Sequence, residues 1–273
     1  MSDKAIEILM PPVVAEELPI RENLHIYLAI GQSNMAGRAP IEKQDEKIIG
    51  DNVLLFNDSE DGQWERAQPW TRNGRMEGLN RYSNVIYPKR YQGLNMAFYF
   101  ADVLKDKVDE GVYVGIVSNA RGETSVAQWK KSCTEILPDS DYNLFDNTVI
   151  RMKKALKSGV FKGIIWHQGE GDRENDNYLN DLNELITDLR RELGDAPFIA
   201  GEIAKYLTDH ELFNNRLSNI SKVIENSDYV KIPDGCMSLS DGIHLDSEAQ
   251  RAYGRSYAQK MIDLHDHNNR RLT

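Results

Sequence analysis

The chain has 273 residues, 40% of them apolar and 28% charged, with 33 Lys and Arg against 43 Asp and Glu and a formal net charge of −10. That length can bury a full core, and the ordinary composition excludes disordered and fibrous classes. The acidic balance, without any block of Lys or Arg, argues against nucleic acid as a partner, and no run approaches the ~18–20 apolar residues of a membrane span.

Residues 1–22, with Pro11, Pro12 and Pro19 and no clear period, read as an extended N-terminal arm ahead of a single domain over 23–273. The start lacks a basic segment followed by an apolar one, so the expectation is a chain without a signal peptide, cytoplasmic as written and secreted or periplasmic only had a leader been removed. Residues 24–30 are apolar β-formers that barely alternate, the pattern of a strand buried on both faces. Further strands are expected at 53–56, 112–117, 163–166 and 198–203. Between them, apolar residues at helical spacing predict helices over 93–108, 144–156, 177–193 and 246–264, the last opening on an Asp246-Ser247-Glu248 start signal. Strands alternating with helices predict an α/β fold, a parallel sheet of about five strands covered on both faces. The polar stretch 59–92 is expected to be a long loop over or beside the functional site.

In such sheets sites form beyond the carboxyl ends of the strands. After the first strand comes GQSNMAGR (31–38), in which Ser33 is placed to open a helix, either as a nucleophile near amide donors or as a simple cap. The dinucleotide pattern GxGxxG is absent, as is the GxSxG elbow of α/β-hydrolases. After the third comes Ser118 to Ser125, where Gly122 would let the backbone approach a ligand and offer its N–H, or simply turn the chain. After the fourth comes WHQGEGD (166–172), where the Gln168 amide has an N–H to point at an oxyanion or else belongs to a hydrogen-bonded loop. Near the C-terminus, Asp241 and His244 stand three apart, a spacing at which a turn can bring the carboxylate to the imidazole, or else they are a capping Asp beside a surface His.

Together GQSNMAGR, ARGETSVAQW (120–129), WHQGEGD and DGIHLD (241–246) resemble the SGNH (GDSL-like) hydrolase superfamily, and within it the sialate O-acetylesterase and acetyl xylan esterase group, carbohydrate esterase family six. The resemblance runs from about Leu24 to the last helix. It implies a three-layer, flavodoxin-like α/β/α sandwich, with Ser33 as nucleophile, His244 and Asp241 as its partners, and an oxyanion hole from the N–H groups of Ser33 and Gly122 and the amide of Gln168. It also implies an acetylated carbohydrate, polysaccharide or sialic acid, as substrate, with neither metal nor organic cofactor. Two departures stand out. The second block usually reads Gly-Gly, but here is Gly122-Glu123, so that Glu123 is expected to alter the pocket or meet a sugar hydroxyl. The third usually carries Ser where Gly171 stands; Glu170 is kept and is a reserve for the role of Asp241.

Two other functions stay open on the sequence: an esterase of the same fold for lipid or thioester substrates, and a non-catalytic sugar-binding module. Trp129, inside the second block, is a candidate for lining the pocket, whereas Trp64 and Trp70 read as loop packing. Arg38 and Arg121 either hold a substrate carboxylate or form structural pairs. His167 reads as a structural hydrogen-bonding residue, His265 and His267 as a solvated helix end, and Cys133 and Cys236 as free thiols.

Overall fold

In the computed structural model, residues 12–58, 62–72, 75–86, 91–137 and 140–272 are described. The strands are β1 (Leu24–Gly31), β2 (Val53–Asn57), β3 (Gln63–Arg66), β4 (Trp70–Arg72), β5 (Arg75–Glu77), β6 (Tyr113–Ser118), β7 (Val160–His167), β8 (Phe198–Gly201) and β9 (Ser227–Val230). The α-helices are α1 (Ser33–Ala36), α2 (Met96–Leu104), α3 (Val126–Trp129), α4 (Leu144–Ala155), α5 (Tyr178–Leu193), α6 (His210–Leu217), α7 (Ile220–Val223) and α8 (Ser247–Leu272). Seven strands form one sheet in the order β3-β2-β6-β1-β7-β8-β9, parallel except for β3; β4 and β5 pair apart from it as a hairpin.

The five expected strands form the middle of this sheet. The count of about five is too low because both edges were missed. β3, Gln-Trp-Glu-Arg, and β9, Ser-Asp-Tyr-Val, are short and half polar, as edge strands usually are. Residues 12–16 of the expected arm lie along β3, where Val14 bridges Glu65 and Arg66 N–H donates to Val13 O at 2.8 Å.

Why β1 is central follows from its side chains. Leu24, Ile26, Leu28 and Ile30 enter one core with α4 and α5; Tyr27 and Ala29 enter the other with α2 and α8. The period of two sends successive residues to opposite faces, so a strand in mid-sheet must be apolar throughout. α5 presents Leu182, Leu185, Ile186 and Leu189 to the first core as one stripe. α8 begins where expected, because Asp246 Oδ1 accepts the Ala249 N–H at 2.8 Å and satisfies one unpaired donor of the first turn.

At the other end of β1, His25 lies partly buried. Burial, then the charges of Lys162 and His265, push its imidazole down from 6.5 to about 4, against the opposing pull of Asp109 and the Glu22 carbonyl. Burial pushes His265 down as well, and its ring meets Tyr27 edge-on at 6.4 Å, so it is packed rather than the solvated helix end expected. Protons therefore bind the unfolded chain more readily than the folded one between pH 6.5 and 4. Stability is fully present above that window and falls as pH drops through it. The thermal midpoint should fall steeply from about pH 7 to about pH 4.5 in the native protein and less steeply in His25→Gln; equal slopes would rule His25 out as a source.

Candidate active site

The order β2-β6-β1-β7 makes the chain run to one side of β1 and later to the other. Connections leave the neighbours β1 and β7 in opposite directions, to β2 on one side and to β8 on the other, and a crevice opens at the carboxyl end of β1, where such sheets bind ligands. Three of the four sequence blocks begin there.

Ser33 follows β1 directly and opens α1, with Gln32 as the capping position. Gly31 takes φ +138°, and a Cβ on it would stand 2.2 Å from His167 O, so only glycine lets β1 and β7 end this close together. Ser33 is 6% exposed, and its hydroxyl and its N–H have no hydrogen-bond partner among the described residues. Gly122 faces it: a Cβ on Gly122 would lie 3.3 Å from Ser33 Cβ and 2.8 Å from an Arg38 nitrogen. The loop carrying Gly122 is held to β1 by Arg121 N–H donating to Gly31 O at 3.0 Å. Glu123, next along, is exposed and takes φ 61°, a left-handed conformation that glycine adopts without strain.

Asp241 and His244 lie on a hairpin over 237–246. Leu239 N–H donates to His244 O at 2.7 Å, Asp246 N–H donates to Met237 O at 3.1 Å, and Gly242 closes the turn at φ 67°. Within the turn Asp241 Oδ1 accepts the N–H groups of Ile243 and His244, both at 2.9 Å, while Oδ2 lies 2.7 Å from His244 Nδ1. Partial burial works to raise the Asp241 carboxyl, but the His244 amide and imidazole and the Ile243 amide outweigh it and hold it down at about 2. The carboxylate is thus ionised and fixes the proton on Nδ1, leaving Nε2 as an acceptor. The hairpin is joined to α1 through the residue after each candidate: Leu245 N–H donates to Asn34 Oδ1 at 2.9 Å. No hydrogen bond joins Ser33 Oγ to His244 among the described residues; Nε2 and the hydroxyl belong to adjoining segments rather than to a closed pair.

Two expectations are corrected here. Gln168 does not hold its amide free for an oxyanion. Its NH2 group donates to Thr124 O at 3.0 Å and to Asp172 Oδ2, and the side chain is buried. Asp172 Oδ2 also accepts Val126 N–H at 2.8 Å, so Gln168 and Asp172 stitch the third block to the second and set the loop of Gly122. Trp129 does not line a pocket. It is 1% exposed, packs edge-on against Trp166 at 5.6 Å, and donates Nε1–H to Thr124 Oγ1 at 2.9 Å. An aromatic residue on a short helix beside a site is as readily core as pocket, and the sequence did not separate the two.

Glu170 accepts from Asn34, whose Nδ2 donates to Oε1 at 2.5 Å, and its Oε1 lies 3.9 Å from His167 Nε2; no hydrogen bond joins it to His244 among the described residues. Arg121 donates to Val85 O, and Arg38 to Gly37 O and Tyr91 O. His167 is buried and its ring is pushed toward the neutral form by that burial. Tyr257 gives its proton to Trp166 O at 2.6 Å, so His167 Nδ1, 3.1 Å away, must be the donor to the Tyr257 oxygen. The described part of 59–92 holds β3 and a hairpin rather than one loop. It bonds the segment before Gly122: Asn80 takes the N–H and C=O of Ala120, and Asn119 Oδ1 accepts from Ser83 and Asn84.

Among the described residues no group of three or more His, Cys, Asp or Glu is arranged to hold a metal ion, and no helix is long and apolar enough to cross a membrane. Both cysteines are free thiols. A cleft of about 670 Å³, lined among others by Ser221 and His267, lies before β8 and β9, at the opposite end of the sheet.

A family model described as carbohydrate esterase, sialic acid-specific acetylesterase, matches residues 23–263. A probable carbohydrate esterase of Arabidopsis thaliana is 27% identical over 268 residues, which cover 89% of this chain and 92% of that protein. The crystal structure of an Arabidopsis thaliana protein superposes with a TM-score of 0.70 at 23% identity, covering 89% of this chain and 98% of that one. That of NanS gives 0.63 at 15% identity, covering 92% and 99%. These likenesses establish the same fold.

Proposed function

This chain belongs to the carbohydrate esterase family of sialic acid-specific acetylesterases and is a carbohydrate acetylesterase, and from that premise we propose that it acts through a Ser33–His244–Asp241 triad and an acyl-enzyme. The observation that carries this reading is the 2.7 Å contact between His244 Nδ1 and an Asp241 carboxylate whose other oxygen is held by two backbone amides. That arrangement leaves the imidazole one free acceptor, Nε2, on a hairpin bonded to the residue after Ser33.

In this mechanism a sugar acetyl ester enters the crevice at the end of β1. His244 Nε2 takes the Ser33 proton as Oγ attacks the ester carbonyl, and Asp241 stabilises the imidazolium. The carbonyl oxygen, now negative, is met by the N–H groups of Ser33 and Gly122, neither of which is engaged elsewhere among the described residues. His244 returns the proton to the sugar oxygen, which leaves as the alcohol. Water, deprotonated by His244, then attacks the acetyl-enzyme and releases acetate and free Ser33. With Gln168 committed to Thr124 and Asp172, the two backbone donors carry the oxyanion, each worth roughly 10²–10³-fold in rate by analogy with other oxyanion donors.

The substrate is an O-acetylated carbohydrate, the class the family takes, and the loop facing Ser33 carries the polar residue Glu123, with Arg38 close by. The test is acetate release from a panel that includes acetylated xylan and O-acetyl sialic acid, beside p-nitrophenyl acetate. Release from at least one glycan is expected. Turnover of none of them, with p-nitrophenyl acetate also untouched, would leave a sugar-binding module instead.

A further inference from the structure

Asn34 stands where three distant parts of the chain meet. It is 1% exposed, follows Ser33 in α1, and uses every polar atom beyond its own N–H. Oδ1 accepts the N–H of Leu245, the residue after His244, at 2.9 Å. Nδ2 donates to Glu170 Oε1 at 2.5 Å, and the main-chain oxygen accepts Gln250 Nε2 from α8 at 3.0 Å. The orientation of the carboxamide is not arbitrary. A backbone N–H can only donate, so Oδ1 must face Leu245, which turns Nδ2, on the same carbon, to Glu170. Only a short side chain with one donor and one acceptor on a common carbon fits both partners.

We propose that Asn34, held by Glu170, is the positioning residue that fixes the hairpin of His244 against Ser33. The proposal rests on the triad reading above. Its physical basis is that the segments of Ser33 and His244, far apart in sequence, share no hydrogen bond between those two residues among the described ones. The join is made one residue further on, by a buried bond between Asn34 and Leu245, 211 positions apart. Buried, this bond meets no competing water and is stronger than on a surface. The tip of the hairpin is exposed, the Asp241 and His244 side chains being 43% and 22% accessible, and is tied down from its base, where Leu245 is buried, and by Tyr206 OH donating to Ile243 O at 3.3 Å. A shift of about 1 Å between nucleophile and base is enough to lose ~10²-fold in rate. Glu170, in this account, acts on His244 only through Asn34 and the Leu245 amide, and so does not replace Asp241.

The donor and acceptor pattern gives a test that simple damage would not mimic. Asn34→Asp keeps an acceptor for Leu245 but turns a second carboxylate on Glu170. Glu170→Gln keeps an acceptor for Asn34 Nδ2. With both substitutions together the contact is restored in reverse: the new amide at position 170 donates to the new carboxylate at position 34. Steady-state kcat and KM on p-nitrophenyl acetate are measured for all three variants, with thermal unfolding followed in parallel and assays run well below each midpoint. We expect kcat of Asn34→Asp to fall about 10²-fold with KM within about twofold, Glu170→Gln to lose less than about tenfold, and the double variant to recover to within about tenfold of the native enzyme. Full kcat in Asn34→Asp overturns the proposal, and so does a double variant no better than the worse single one. Should Asn34→Asp not fold, the comparison of the double variant with Glu170→Gln still decides. An inactive native enzyme would instead count against the triad reading, which the same assay reports independently.

Discussion

Ser33→Ala is expected to abolish acetate release while the protein keeps its fold. Without the hydroxyl there is no acyl-enzyme, and what survives is binding and oxyanion stabilisation of direct attack by water. Serine hydrolases lose on the order of 10⁴–10⁶ in kcat on this change. Structure should be spared for a reason visible in the site: Ser33 Oγ has no hydrogen-bond partner among the described residues, so its removal strands no buried donor or acceptor. Ser33 is the first residue of α1, with Gln32 in the capping place, and alanine is tolerated there. The thermal midpoint should therefore stay close to the native value, within about 1 kcal/mol of stability. Burst and steady-state turnover of p-nitrophenyl acetate, beside a melting curve, would check both halves. A folded variant that turns over at the native rate would end the mechanism.

The second large effect is expected from Asp241→Asn, and its size comes from a conflict over one oxygen. In the native hairpin Oδ1 serves the amides of Ile243 and His244 while Oδ2 serves His244 Nδ1. Asparagine has a single acceptor oxygen. If it stays on the two amides, its NH2 faces Nδ1 and forces the proton onto Nε2, the tautomer that cannot take the Ser33 proton. If it turns to the imidazole, two backbone N–H groups lose their acceptor and the turn loosens. Either way kcat should fall by ~10⁴-fold, the scale known for this change in triads. Asp241→Ala should be milder, since the 43% accessible side chain leaves room for water to accept from Nδ1 once the carboxylate is gone. Because the native carboxyl is held down at about 2, it stays ionised above about pH 3, and a loss of activity at about pH 5 to 6 would have to come from other groups. Comparable kcat for Asp241→Asn and the native enzyme would show that His244 does not depend on Asp241.

The sequence by itself determined the architecture and the carbohydrate-esterase family. A strand such as 24–30, apolar at every second and nearly every other position, has no stable place except mid-sheet between two helical layers, and five such runs alternating with amphipathic helices define the α/β sandwich. The Asp241-to-His244 pairing was legible because it is local: three residues and a glycine-closed turn are enough to bring carboxylate and imidazole together. What lay beyond reach were properties decided by partners far along the chain. The edge strands β3 and β9 are too short and polar to signal themselves and exist because β2 and β8 offer open edges to pair with. Trp129 went to the core because Trp166 and Thr124 were there to receive it. Gln168 gave its amide protons to Thr124 and Asp172, a choice only the folded loop could impose. Asn34 carried no pattern of its own. Its importance comes from standing where β1, β7 and the final hairpin converge, and convergence is a property of tertiary structure: its hydrogen bonds to residues 136 and 211 positions away form only after the sheet has brought their segments within reach.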